Sequence, residues 1–470
     1  MLQRTRETLT LILLTLLPLH ALLVTVGTKM IVGLGHAPLK MLAFWKEGLL
    51  GIILLLALFE WFTSRKQHKE TRWWAIDEID FLIVSLVILS IIVTAFTHGD
   101  WHQYLFGFKY DFIPLGAFVV LRRVQWSDLF IRRVRRSLLF IGGCVAAYGL
   151  LTLYLPLKFF VWLGYSDLHS LYRPDAPLAA YQQIEGLQLR RIQSTFSGPN
   201  QFGLWLLIPW SIGLITMLTC SKTLKTVLRF INIHAGKEYC LSVFYMTLLS
   251  VSIILTFSRS AWLAALIIFI VAMRQLQSRD EFRRSFIRLG GLVIELLLLL
   301  AFLSPGSLLR LSSSREHLVR PLAAIQTIVE HPFGFGLGTA GPASNRLGDA
   351  CVYFEEGADV SWAYDRPDLC VFAGDVQVQP VDRICRCPLL PENWYLQIGL
   401  EMGLIGLVIF AVIIIFVLYS LKRWNGPKWV FLSFLGIAFA ALFLHAWEAS
   451  AVAYTVWILA ALKPLWRTDD

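Results

Sequence analysis

Charge is what this sequence has little of. Of its 470 residues only 16% are Asp, Glu, Lys or Arg, 57% are hydrophobic, and the mean hydropathy is +0.63. A soluble protein carries about a quarter charged residues, so a soluble fold is excluded. Apolar runs long enough to cross a bilayer recur along the chain, and they are continuous rather than alternating. That excludes a porin-like barrel and leaves an all-α polytopic membrane protein. Motifs are scarce as well. The sequence contains no Walker lysine loop, no H-E-x-x-H, no G-x-S-x-G and no paired-Asp metal motif. It also has no N-x-S/T sequon, internal repeat or low-complexity tract. Metal and cofactor are therefore both read as none.

What is present is a set of greasy segments near 9–26, 47–63, 79–97, 104–121, 137–155, 200–219, 240–257, 261–275, 289–303, 395–420, 429–446 and 450–463. They predict about twelve transmembrane helices. Arg4 and Arg6 precede the first, but no small-residue cleavage site follows it, so it reads as an uncleaved span. The seventeen Trp suit interfacial belts. The formal charge of +10 could suggest nucleic acid. The basic residues, however, fall in short loops, at 65–72, 122–136, 221–238, 274–288 and 422–428. This is a topology signal, and no nucleic-acid partner is expected. It predicts both termini in the cytoplasm and one large extracytoplasmic loop, with 156–196 as a second outer segment.

The expected organisation is thus transmembrane helices over 1–303, an outer loop over 304–394, and three last spans over 395–470. The loop holds eleven Asp/Glu against seven Lys/Arg. It also holds Cys351, Cys370, Cys385 and Cys387, while Cys144, Cys220 and Cys240 lie in or beside spans. Four cysteines in one hydrophilic loop predict two disulfides and an oxidising face. Zinc is the alternative, but the one-residue gap of Cys385-Arg-Cys387 is unlike the usual zinc spacing. Ser313 and Glu316 have the spacing of a capping box. Leu318, Leu322, Ile325 and Val329 then form a stripe, predicting an amphipathic helix on the outer membrane face, bent or restarted at Pro321 and ended by His331-Pro332. The literal G-x-G-x-x-G at 336–341 follows a helix rather than a strand, so it is no dinucleotide fingerprint. Residues 343–390 read as irregular.

Charge near the membrane is expensive and therefore informative. Arg259, in TFSRSAW (256–262), either snorkels at the outer turn between two spans or binds an anion there. Arg190 and Arg191 precede Pro199-Asn200, a helix start on the outer side. An arginine pair outside departs from the topology rule, and beside a helix N-terminus it offers positive potential to a phosphate. Glu392 opens the last block of spans as a plain N-terminal charge or a base. Asn393, Gln397 and Glu401 follow it on one helix face. Glu295 sits within an apolar run and reads as a packed, protonated carboxyl, and His445 and Glu448 could line the same outer cavity.

Three segments together resemble the O-antigen ligase and O-antigen polymerase superfamily, bacterial membrane glycosyltransferases. They are RIQSTFSGPNQFG (191–203), LTFSRSAWLAAL (255–266), and the block from SSSREHLVRPLAAIQTIVEHPFGFGLG (312–338) through ENWYLQIGLEMGLIGL (392–407). The resemblance covers roughly 190–410. It implies transfer of a glycan from an undecaprenyl (di)phosphate carrier to a hydroxyl acceptor, in the bacterial cytoplasmic membrane and without metal. It matches Arg191, Arg259 and Arg315 to the family's outer-face arginines, which would grip the diphosphate. Where ligases of the family place a histidine before the last asparagine, this chain has Glu392-Asn393. Glu392 is accordingly the candidate base, with Asn393, Gln397 and Glu401 as candidate substrate ligands. Membrane lipids and a lipid, glycan or protein acceptor are the remaining expected partners. The alternative is a transporter or lipid-carrier flippase. That reading expects pseudo-repeats and broken helices in both halves, and the sequence displays neither. A further alternative is a non-catalytic docking component.

Overall fold

A computed structural model describes residues 1–65, 76–167, 176–184, 189–227, 233–276, 283, 311–354, 356–374 and 376–463. The span expected at 289–303, and Glu295 within it, lie outside the described residues. So does the side chain of Arg315, although its backbone is helical.

In chain order the helices are α1 (Leu2–Leu16), α2 (His20–Val32), α3 (Lys40–Ala43), α4 (Trp45–Arg65), α5 (Glu78–Phe96), α6 (Trp101–Asp111), α7 (Ile113–Leu121), α8 (Asp128–Leu151) and α9 (Leu157–Leu163). A two-residue hairpin, β1 (Gln182–Gln183) and β2 (Arg190–Arg191), leads into α10 (Pro199–Val227), α11 (Ile233–Leu255) and α12 (Arg259–Leu276). Beyond the undescribed segment come α13 (Leu311–Glu330) and α14 (Gly341–Leu347). The strands β3 (Cys351–Phe354), β4 (Cys370–Ala373) and β5 (Val376–Gln379) follow. The chain closes with α15 (Trp394–Arg423), α16 (Lys428–Ala440) and α17 (Ser450–Ala460).

The protein is mostly helical and membrane-like, but it does not show twelve spans. Among the described residues six helices are long and apolar enough to cross a bilayer, or seven if the bent pair α6–α7 counts as one. Hydropathy misled because apolar sequence continues through turns. α16 has 13 residues and α17 has 11, short of the roughly 20 that a crossing needs. The expected span at 104–121 is broken ahead of Pro114 with a 45° bend. The outward sides of the long helices carry Leu55, Phe81, Phe140 and Ile415, each at least 60% exposed. Apolar surface on that scale suits lipid.

Local chemistry places the helix starts. Asp77 accepts from the Asp80 amide in a capping box that opens α5. Ser127 caps α8, and Asn393 caps α15 through the Leu396 amide at 3.0 Å. Small residues set the packing: a Cβ at Gly436 would meet Ile268, so α12 and α16 lie in close contact. The core is built around Phe202, Trp205, Phe434 and Trp457.

The bundle has two chemically distinct ends. At one, Arg6 pairs with Glu60 at 2.8 Å and donates to the Gln125 carbonyl. Trp126 Nε1 donates to Ala461 O at 3.2 Å, and Lys463 Nζ to Ser420 O at 3.1 Å. Residues near both ends of the chain therefore meet there. At the other end lie the described part of 304–394 and the segment 190–200.

That loop segment is more ordered than its sequence suggests. Residues 343–390 form the strands β3–β4–β5, the first pair parallel and the second antiparallel. Two disulfides, Cys351–Cys387 and Cys370–Cys385, clamp them. With all four thiols so used, the zinc alternative has no ligands. Ser313 is not an N-cap, since α13 already runs from Leu311. Pro321 lies within an unbroken α13 rather than restarting it.

Candidate functional site

Three stretches of chain lie at this end. The first is the segment before α10. Arg191 donates through Nε to Thr256 O at 2.9 Å, through one Nη to Gln182 Oε1 at 2.9 Å, and through the other to Asn200 Oδ1 at 2.7 Å. Arg190 donates to Leu155 O and lies over the Tyr181 ring, 4.5 Å from its centroid. Both arginines line a small hollow with Thr152, Tyr181, Gln193 and Ser194.

The second stretch is the turn between α11 and α12. Phe257 takes a left-handed φ of 51°, and Arg259 is the first residue of α12. Since Arg191 bonds Thr256, three residues earlier, these two arginines belong to one locality. A Cβ on Gly203 of α10 would meet Thr256 and Ala261, which is why that position is glycine.

The third is the junction of α13, the glycine loop and α15. α15 is two helices across a kink at Gly403, φ 69°. The loop from Pro332 to Gly338 docks into that kink: Leu404 N donates to Pro332 O, Phe335 N to Leu400 O and Gly336 N to Glu401 O. A Cβ at Gly403 would lie 2.2 Å from Pro332 O, and one at Gly338 would lie 2.3 Å from Gln103 O. The glycine run is therefore a packing device, joining α6 to α15.

The polar stripe on α15 holds this junction. Asn393 Nδ2 donates to Leu442 O at 2.8 Å. Gln397, 1% exposed, meets His445 Nδ1 at 2.8 Å. Glu401, fully buried, accepts from the Gly338 and Ala340 amides at 3.0 and 3.3 Å and faces the Asp111 carboxyl. The expected ligands Asn393, Gln397 and Glu401 thus bond to other protein groups. Glu392 sits at the stripe's N-terminal end with a left-handed φ of 53°, a strained geometry for a side-chain-bearing residue, and pairs with Arg320 at 3.3 Å.

Sequence reasoning missed Arg320, Arg346, His20, Lys46, Lys109 and Asp111. Arg320 pairs with Glu392, and Arg346 of α14 bears electrostatically on His20, Lys46 and Glu448. Lys109 and Asp111 had a readable signal, being charged residues inside the apolar run 104–121. The others had none, because only folding brings them together. In the turn 441–449, burial pushes His445 down to about 4, and nearby Arg320 adds to this. Burial pushes Glu448 up to about 7; Glu392 adds to this and Arg346 opposes it. Both are half-buried. This end thus gathers arginines and lysines together with a histidine pushed towards its neutral form and a readily protonated acid.

No protein-family model and no curated protein matches the chain.

Proposed function

We propose that the protein transfers a glycan from an undecaprenyl (di)phosphate carrier to a hydroxyl acceptor at the extracytoplasmic face of a bacterial cytoplasmic membrane, as a ligase or polymerase of surface polysaccharide. The supporting observation is the placement of Arg191 and the first turn of α12, with Arg259, beside each other at the end of the bundle opposite both termini. A diphosphate leaving group needs its charge held rather than a metal or cofactor, and fixed guanidiniums do this. The disulfide-clamped strands at the same end suit an oxidising compartment. With the termini in the cytoplasm, that end faces outward. Arg315, on α13, is retained as a diphosphate ligand on the strength of the resemblance. Glu392, paired with Arg320, is retained in this reading as the base for the acceptor hydroxyl.

The test is purified protein supplied with carrier-linked oligosaccharide. Appearance of a longer chain or a new conjugate, lost in Arg191→Ala and Arg259→Ala, supports the reading. Unchanged product in both variants would sink it.

One observation favours the transporter reading. Helices are interrupted in both halves, at Leu17–Leu19 between α1 and α2, between α6 and α7, and at Gly403. A carrier-linked glycan that crosses a vesicle membrane with no new glycosidic bond would decide for it.

A further inference from the structure

We propose that Arg132, Arg133 and Arg136 of α8 form a binding face for the phosphate of an anionic phospholipid, at the end of the bundle that gathers both chain termini. Ser127, just before α8, fixes that placement by bonding Glu7 of α1 through its amide and hydroxyl, both at 2.8 Å. Six arginines lie in 122–136, and folding gives them different surroundings. Arg122 and Arg123 are buried against Asp77 and Asp80. Arg135 donates to Thr216 of α10 at 3.2 Å. Arg132, Arg133 and Arg136 are exposed. Among the described residues none of these three pairs with a carboxylate, Asp128 one turn away included. The positive-inside rule counts charge and is indifferent to which face of a helix carries it; here three charges share one face.

That face continues into hydrocarbon. Arg133, Arg136, Phe140, Cys144, Ala147 and Leu151 follow at steps of three or four residues and are all exposed, with Arg132 beside them on the same side. The opposite face, with Val134, Leu138 and Val145, is buried in the core. One outward stripe thus changes from guanidinium to apolar surface between Arg136 and Phe140. From Arg133 to Leu151 the helix rises about 27 Å at 1.5 Å per residue, close to the roughly 30 Å of bilayer hydrocarbon. The arginines therefore come at the depth where hydrocarbon gives way to headgroups. α11 widens the apolar wall. Its Tyr245 Oη donates to Leu139 O at 2.7 Å, and Leu241 and Phe244 nearby are exposed.

The occupant follows from these two parts. An anionic phospholipid satisfies both at once: its phosphate oxygens accept from the guanidiniums, whose planar forks match them, and its chains lie along Phe140 and Phe244. The N-terminal dipole of α8 adds to the same positive potential. A zwitterionic lipid offers equal chains, but its own ammonium offsets the phosphate charge. A soluble anion would leave the apolar part of the stripe unused. The site stands independently of glycan transfer.

The experiment is native mass spectrometry of the detergent-solubilised protein, titrated with phosphatidylglycerol or with phosphatidylcholine of matched chains. Phosphatidylglycerol is expected to be retained preferentially. Combining Arg132→Gln, Arg133→Gln and Arg136→Gln should weaken its retention by roughly 10²-fold, about fivefold for each arginine near an anionic surface, and leave phosphatidylcholine unchanged. Equal retention of both lipids by the unmodified protein, or an undiminished preference in the combined variant, overturns the proposal. Arg135→Gln is the charge control: weakening as large as that from Arg136→Gln would reduce the effect to net charge and overturn the face. Should the combined variant fail to insert, raising ammonium acetate about tenfold must erase the preference of the unmodified protein, and a preference indifferent to salt overturns it. Adducts of added inorganic phosphate without any lipid preference would give the face to a soluble anion and overturn it as well.

Discussion

At the scale of single residues, the end of the bundle that carries Arg191 and Glu392 combines charges whose partners orient them and titratable groups whose surroundings move them. Arg191 donates to Thr256 O, Gln182 Oε1 and Asn200 Oδ1, which fix its direction. Arg191→Ala is expected to insert and fold normally while carrier-linked glycan accumulates at least tenfold, read by extraction of the lipid carrier. His445 and Glu448 make a pH prediction with opposite signs. Glu448, raised to about 7, is favoured protonated, so its contribution to stability is full below the ordinary glutamate range and is lost as pH rises through 7. His445, lowered to about 4, costs stability as pH falls from 6.5 towards 4, where the unfolded chain takes up the proton first. Glu448→Gln should therefore flatten the alkaline side of the thermal-stability profile, and His445→Gln the acid side. Each effect is on the order of 1 kcal/mol for half-buried groups. Melting temperatures between pH 4.5 and 8.5 check both.

At the scale of elements, the kink in α15 and the glycine loop are one device. Gly403 has both a left-handed φ and a carbonyl where a Cβ would go. Gly403→Ala is expected to cost about 1–3 kcal/mol and to separate the loop from α6, visible as faster amide exchange at 334–340. α13 has a second element-scale role. Ala324 and Ile328 pack against Ala340 and Leu400, while Leu322, Ile325 and Val329 remain exposed. Such an exposed apolar stripe fits the membrane interface. A tryptophan introduced as Ile325→Trp should be quenched by lipids brominated high in the acyl chain; no quenching would place α13 in water.

At the scale of the whole molecule, the protein is a helical bundle with a structural end and a chemical end. The first gathers Arg6, Glu60, Arg122, Asp77 and Lys463 in bonds that close the chain on itself. The second gathers the arginines, lysines and disulfides. Sidedness follows as a prediction: cysteines introduced near residue 4 and near residue 359 should label from opposite sides of intact cells with a membrane-impermeant maleimide. Labelling from the same side would contradict the assigned topology.

Hydropathy and composition were enough to establish a helical membrane protein, because a bilayer demands continuous apolar sequence and little charge. Cysteine content, for the same kind of reason, was enough to expect two disulfides in one polar loop. The number of crossings was beyond it, since apolar residues continue through the turns around Pro114 and 441–449, and hydropathy does not register where a helix stops. The β3–β5 sheet was also hidden, its strands being four residues each and lacking a clear alternation. Above all, the convergence of His20, Lys46, Lys109, Arg320, Arg346 and Glu392 was decided only by the tertiary structure. Their positions span more than three hundred residues, and no local pattern encodes which buried charge will meet which.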